Sequence, residues 1–160
     1  MIQELISALR IRRQTISFCE SLTAGLAAAT VADVPGASAV LRGGLVTYAT
    51  DLKHTLAHVP QQLLDAHGPV SAPTAAAMAT GCRSVCGSDW AVSLTGVAGP
   101  EGQDGHPVGE VWLGFAGPGG VDTQVLHLSG SRREIREAAV AQALAGVLER
   151  VREQNNLSKR

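Results

Sequence analysis

Apolar residues along this chain alternate between two periods, 3.6 and 2, and the alternation lays out the elements. Ile2, Leu5, Ile6 and Leu9 fall at helical spacing, and residues 15–19 follow as a short β-prone run. An Ala-rich helix is predicted over 22–34, halted by Pro35-Gly36. Residues 42–49, with Gly43-Gly44 near the start and Leu45, Val46 and Tyr48 beyond, read as a second strand. A helix over 51–57, capped by Thr50, precedes another that starts at Pro60 and ends near Gly68. Ser71-Ala72-Pro73 is a good helix start, and that helix runs to Cys86 with Gly87 as its stop. Residues 90–95 form a third strand, followed by a glycine-rich loop over 96–109. Strands over 111–116 and 123–128 flank a hairpin at Gly117-Pro118-Gly119-Gly120. The last helix covers 132–152, and 155–160 read as a frayed tail. Helices alternating with strands and closed by a hairpin predict an α/β fold: a three-layer α/β/α sandwich around a mixed, mostly parallel sheet. With 160 residues and no repeat or linker, a single domain is expected over 1–160.

Composition narrows the function. Hydrophobic residues make up 45% but aromatic ones only 3%, so the core must be built from Ala, Val and Leu in close packing. A formal net charge of −1 argues against a nucleic-acid partner. No apolar run is long enough to span a bilayer, and the N-terminus lacks a signal peptide's apolar stretch, so no membrane association and a cytoplasmic location are expected. Cys19, Cys82 and Cys86, an odd number, read as free thiols in a reducing compartment. Cys82 and Cys86 share a helix face, as a two-ligand metal site or as small buried apolar groups. His54 and His58 have zinc-protease spacing, but Thr55 stands where the glutamate belongs, so no metal site is predicted. The Ala-rich helices favour a homo-oligomer.

Three segments after predicted strands carry the candidate chemistry, and open α/β sheets bind ligands beyond their strand ends. Ser21 follows the first strand, either as a plain helix cap or as a nucleophile beside the free amides of residues such as Leu22, Thr23 and Ala24. Glu20 could orient a substrate hydroxyl or a lysine, and Thr23 could donate to substrate. Tyr48, the only tyrosine, and Lys53 come from the second strand end and its helix. A serine beside a lysine is a nucleophile made without histidine, provided burial lowers the lysine pKa. Thr95-Gly96-Val97-Ala98-Gly99-Pro100 suggests backbone close to a ligand, yet it matches neither a Walker A motif nor a dinucleotide fingerprint. Arg132, Arg133 and Arg136 open the last helix against its dipole, facing an anion or pairing with Glu134 and Glu137.

Taken in order, Glu20-Ser21-Leu22-Thr23-Ala24-Gly25, Gly43-Gly44-Leu45-Val46-Thr47-Tyr48, Lys53, Thr95-Gly96-Val97-Ala98-Gly99-Pro100, Pro107-Val108-Gly109 and Gly130-Ser131-Arg132 resemble the CinA C-terminal domain family, the nicotinamide-nucleotide amidohydrolases. The resemblance covers nearly the whole chain and implies its stand-alone form. It implies hydrolysis of nicotinamide mononucleotide to nicotinate mononucleotide and ammonia without a cofactor. Ser21 maps to the nucleophile, Lys53 to the base, and Tyr48 to the family tyrosine. Substrate contacts are expected from Glu20, Thr23, Ala24, Thr95, Gly96, Ala98, Gly99 and Arg132, the loop and the arginine serving ribose and phosphate. The chain departs from the family pattern at Leu22, Ala24, Thr50, Ala72 and Ser131. A regulatory module that binds a nucleotide without turnover, or an amidohydrolase of a related amide, is the alternative.

Overall fold

The computed structural model describes residues 1–158. Five strands form one mixed sheet: β1 (Ile16–Glu20), β2 (Leu41–Val46), β3 (Trp90–Gly96), β4 (Glu110–Gly117) and β5 (Gly120–His127), in the order β2-β1-β3-β4-β5. β1 pairs in parallel with both β2 and β3, while β3–β4 and β4–β5 are antiparallel, so four of the five strands point one way. Every residue of β1 is buried, as expected for a central parallel strand covered on both faces.

The helices are α1 (Ile2–Arg12), α2 (Leu26–Ala32), α3 (Thr50–Thr55), α4 (Gln61–His67), α5 (Ala72–Cys86) and α6 (Arg132–Ser158). Side-chain alternation sorts them into two layers. Ile16 and Phe18 of β1 join the core formed with α1, α2 and α6, whereas Cys19 packs with Leu64 of α4 and with Met78 and Cys82 of α5. α6 buries Ile135, Ala139, Leu144 and Val147 on the sheet, each large side chain contributing about 1.5–3 kcal/mol. On the other face α5 lies almost on the backbone. A Cβ on Gly114 of β4 would sit 2.3 Å from the Ala75 carbonyl oxygen, so only glycine permits that approach. This is how a core poor in aromatics reaches native packing density.

The predicted α/β/α sandwich is therefore present, with three local corrections. The helix expected from residue 22 starts at Leu26, because Ala24 (φ +49°) and Gly25 (φ +100°) are left-handed and cannot continue a helix. Ala49, not Thr50, is the N-cap of α3, and no side chain caps it. α6 runs on through Ser158, past the start of the expected tail, while residues 159–160 lie outside the described residues. No helix among the described residues is long and apolar enough to cross a membrane.

Candidate active site

Register brings the site together. Glu20 of β1 lies opposite Val46 of β2 and Leu94 of β3, so Ser21, Thr47 and Thr95 sit at one level, at the carboxyl ends of these strands. Ser21 still belongs to the ladder, its amide donating to the Leu94 carbonyl at 2.9 Å. The chain then turns sharply, with the Ala24 amide on the Ser21 carbonyl at 3.1 Å. The amides of Leu22 and Thr23 make no hydrogen bond among the described residues, leaving two donors beside the Ser21 hydroxyl. Ser21 is thus not a helix cap. Glu20 does that work: its buried carboxylate accepts from the amides of Ala27 (2.7 Å) and Ala28 (3.2 Å) at the start of α2.

Lys53 reaches Ser21 from α3. It is 1% exposed, and Nζ donates to the Ser21 Oγ at 3.0 Å and to the Thr47 carbonyl at 2.7 Å. Burial lowers its pKa from 10.5 to about 8, an effect opposed by neighbouring Cys19. No carboxylate forms an ion pair with Nζ among the described residues. Asp51 and Glu20 therefore do not hold the lysine charged.

Above this pair opens a cavity of about 260 Å³, lined by Ser21, Lys53, Tyr48 and Arg132 and by the loop after β3. Arg132 spans it, donating to the Tyr48 hydroxyl at 2.9 Å and to the Gly99 carbonyl. A capping box aims this arginine: the Glu134 amide donates to Ser131 Oγ, and the Glu134 carboxylate accepts from the Ser131 amide. Those two contacts with Ser131 hold the Glu134 carboxyl below its usual range. The loop is equally determined. Gly99 has φ +88°, and a Cβ there would meet Val108 at 2.7 Å, so the turn needs glycine. The Gly99–Pro100 peptide is cis.

Of the residues expected at a site, Ser21, Lys53, Tyr48, Thr95, Gly96, Ala98, Gly99 and Arg132 line this one cavity. Glu20, Thr23 and Ala24 do not line it; Glu20 is turned under α2, and the Thr23 hydroxyl is buried with no partner among the described residues. Tyr48 is 55% exposed and bonds Arg132, with no hydrogen bond to Ser21 or Lys53. The three arginines of α6 divide: Arg132 faces the cavity, Arg133 pairs with Glu137 at 2.6 Å, and Arg136 bonds backbone carbonyls. The sequence reading missed Pro69 and Val70, which form a wall; the Thr95 hydroxyl donates to the Pro69 carbonyl at 2.7 Å. It also missed Glu101 and Gln103 on the rim. Both lie within the glycine-rich loop over 96–109, and only that position marked them in sequence.

The other chemical groups stay apart from the cavity. Cys82 and Cys86 have sulfurs 4.0 Å apart and do not line the cavity, and contact with Cys19 together with burial pushes the Cys82 thiol up. His54 Nδ1 is bound to the Val59 carbonyl at 2.7 Å. Among the described residues no three metal-ligating side chains converge.

The sequence and the fold are both similar to those of known proteins. The family profile for the CinA C-terminal domain matches residues 1–151. A CinA-like protein of Frankia casuarinae is 49% identical over 133 residues, covering 83% of this chain and 31% of that protein. The chain spans about a third of the length of the curated relatives it matches. Among solved structures, a CinA-superfamily protein of Klebsiella pneumoniae superposes with TM-score 0.92 at 29% identity, over 95% of this chain and 96% of that one. The competence/damage inducible protein CihA of Agrobacterium tumefaciens gives TM-score 0.89 at 34% identity, over 92% of both chains. On the strength of a family match over nearly its full length, the chain belongs to the CinA C-terminal domain family.

Proposed function

We propose that this chain is an amidohydrolase that converts nicotinamide mononucleotide and water to nicotinate mononucleotide and ammonia, with Ser21 as nucleophile and Lys53 as base. The observation that carries the reading is the 3.0 Å contact between a buried, carboxylate-free Lys53 and Ser21. A pKa of about 8 leaves roughly a tenth of the lysine neutral at pH 7, against less than a thousandth at the ordinary value. That neutral fraction can accept a proton.

The chemistry proceeds by acyl transfer. The Ser21 Oγ attacks the carboxamide carbon as its proton passes to Nζ, and the Thr47 carbonyl keeps Nζ oriented throughout. Negative charge develops on the carboxamide oxygen, where the free Leu22 and Thr23 amides are available to stabilise it. The carbon–nitrogen bond breaks, Nζ returns the proton to the leaving nitrogen, and ammonia departs. Water then attacks the Ser21 ester, Nζ takes its proton and passes it to Oγ, and the carboxylate product is released. Arg132 supplies the cation for a phosphate, and the Gly96–Gly99 backbone supplies close polar contacts for a ribose.

The test is incubation with nicotinamide mononucleotide and measurement of ammonia and nicotinate mononucleotide. Equimolar release by the wild type, lost in Ser21→Ala and Lys53→Met with folding intact, is the expected result. Ligand binding without release in the wild type overturns the enzymatic reading and leaves a nucleotide-binding module.

A further inference from the structure

Arg136 sits one helical turn beyond Arg132 yet serves the opposite wall of the cavity. Its Nε donates to the Leu22 carbonyl at 2.9 Å and its Nη2 to the Thr23 carbonyl at 3.0 Å. One planar guanidinium therefore grips two successive peptide units of the turn that follows Ser21. Resting on the Ser/Lys reading above, we infer that Arg136 is a positioning residue that holds the nucleophile turn in its working conformation.

Three observations converge on this. The turn is unfavourable by itself, since Ala24 is left-handed without being glycine, a conformation that brings its Cβ close to the following carbonyl. Something must over-determine it: the Ala24 and Leu26 amides close it onto the Ser21 and Thr23 carbonyls, and the Glu20 carboxylate fixes its far end at Ala27 and Ala28, which leaves the Leu22–Thr23 peptide to Arg136. Next, a trans peptide points its C=O and N–H in opposite directions. Pinning the Leu22 carbonyl onto α6 therefore fixes where the Thr23 amide points, and that amide is one of the two free donors beside Ser21. Finally, a guanidinium on a carbonyl oxygen polarises the whole peptide unit and makes its N–H a stronger donor. Residues 22 and 23 are buried; the Thr23 carbonyl also accepts from the Leu26 amide at 3.0 Å, but the Leu22 carbonyl has no partner besides Arg136 among the described residues, and water cannot readily replace it.

Lysine cannot substitute fully. Its ammonium is a point charge and cannot hold two carbonyls in one plane.

The experiment measures kcat and KM for nicotinamide mononucleotide in Arg136→Ala and Arg136→Lys. It adds the rate at which a fluorophosphonate labels Ser21, a reaction that needs no nucleotide contact. Arg136→Ala is expected to lower kcat and the labelling rate roughly tenfold to a hundredfold, with KM within about threefold of wild type. Arg136→Lys is expected in between, and millimolar guanidinium should restore part of the loss in Arg136→Ala alone. A wild-type kcat in either variant, or a rise in KM with kcat unchanged, overturns the inference. So does failure of guanidinium to rescue a folded Arg136→Ala protein. If Arg136→Ala does not fold, Arg136→Lys decides, and its labelling rate must fall. A wild-type protein that labels at Ser21 but leaves nicotinamide mononucleotide intact defeats the substrate reading only, and the labelling series still tests Arg136. A wild-type protein that does not label at Ser21 defeats both.

Discussion

A buried lysine whose pKa falls on folding must leave its mark on stability, and Lys53→Met isolates it. In the folded chain the pKa is about 8 against an ordinary 10.5, because burial penalises the charged form. Below pH 8 both states carry the proton and the folded state bears the full penalty, about 3 kcal/mol for a shift of roughly 2.5 units. Between pH 8 and 10.5 the unfolded chain holds more protons than the folded one, so stability rises with pH. By pH 10 most of the penalty is gone. Methionine has similar length and no charge, and it breaks the bonds to Ser21 and Thr47 at a cost that does not depend on the lysine proton. The stability difference between wild type and Lys53→Met reports the lysine proton together with its effect on neighbouring Cys19, the other titrating groups being common to both proteins. Urea titrations at pH 7, 8, 9 and 10 should show wild type gaining about 2–3 kcal/mol on the variant across that range. The same lysine predicts an acid limb in kcat/KM with a midpoint near pH 8. A difference that stays flat from pH 7 to 10 refutes the argument, because Lys53 would then titrate alike in both states.

The remaining predictions concern the frame around the pair. Glu20→Gln leaves one acceptor for two amides and weakens the α2 cap, so urea denaturation should show a loss of about 1–2 kcal/mol at neutral pH. Gly99→Ala forces a methyl group against Val108 at positive φ and should cost about 1–3 kcal/mol or displace the loop, read as a rise in KM with a lower Tm. Arg132→Met should raise KM for the nucleotide at least about tenfold while sparing turnover of the dephosphorylated nucleoside, which has no phosphate to lose. An equal loss on both substrates would instead assign Arg132 to holding Tyr48 and Gly99.

How much of this was legible in the chain can be followed residue by residue. Periodicity and the glycine, proline and serine signals were enough for the helix–strand order, because a strand buried on both faces and a helix with one apolar stripe leave different patterns. The three strand-end segments were legible for the same reason, and the cavity gathers eight of the eleven expected site residues. Glu20 misled because its carboxylate, adjacent to Ser21 in sequence, has two α2 amides within reach once the turn forms. A helix prediction from residue 22 could not register that turn, since left-handed backbone at Ala24 has no compositional signature.

What the sequence alone determined is the set of elements and the residue types available at their ends: a serine after β1, a lysine inside α3, and arginines at the start of α6. Those follow from local backbone preference and from which positions must be apolar. Tertiary structure alone decided what each polar group does. Lys53 has a lowered pKa because packing removes it from water without giving it a carboxylate, and burial is a property of the folded surroundings. Arg132 and Arg136, identical in type and four positions apart, part ways because strand register and the placement of α6 set the cavity before one and two carbonyls of the turn after Ser21 before the other. No local sequence signal separates them, since their partners lie up to 114 residues away.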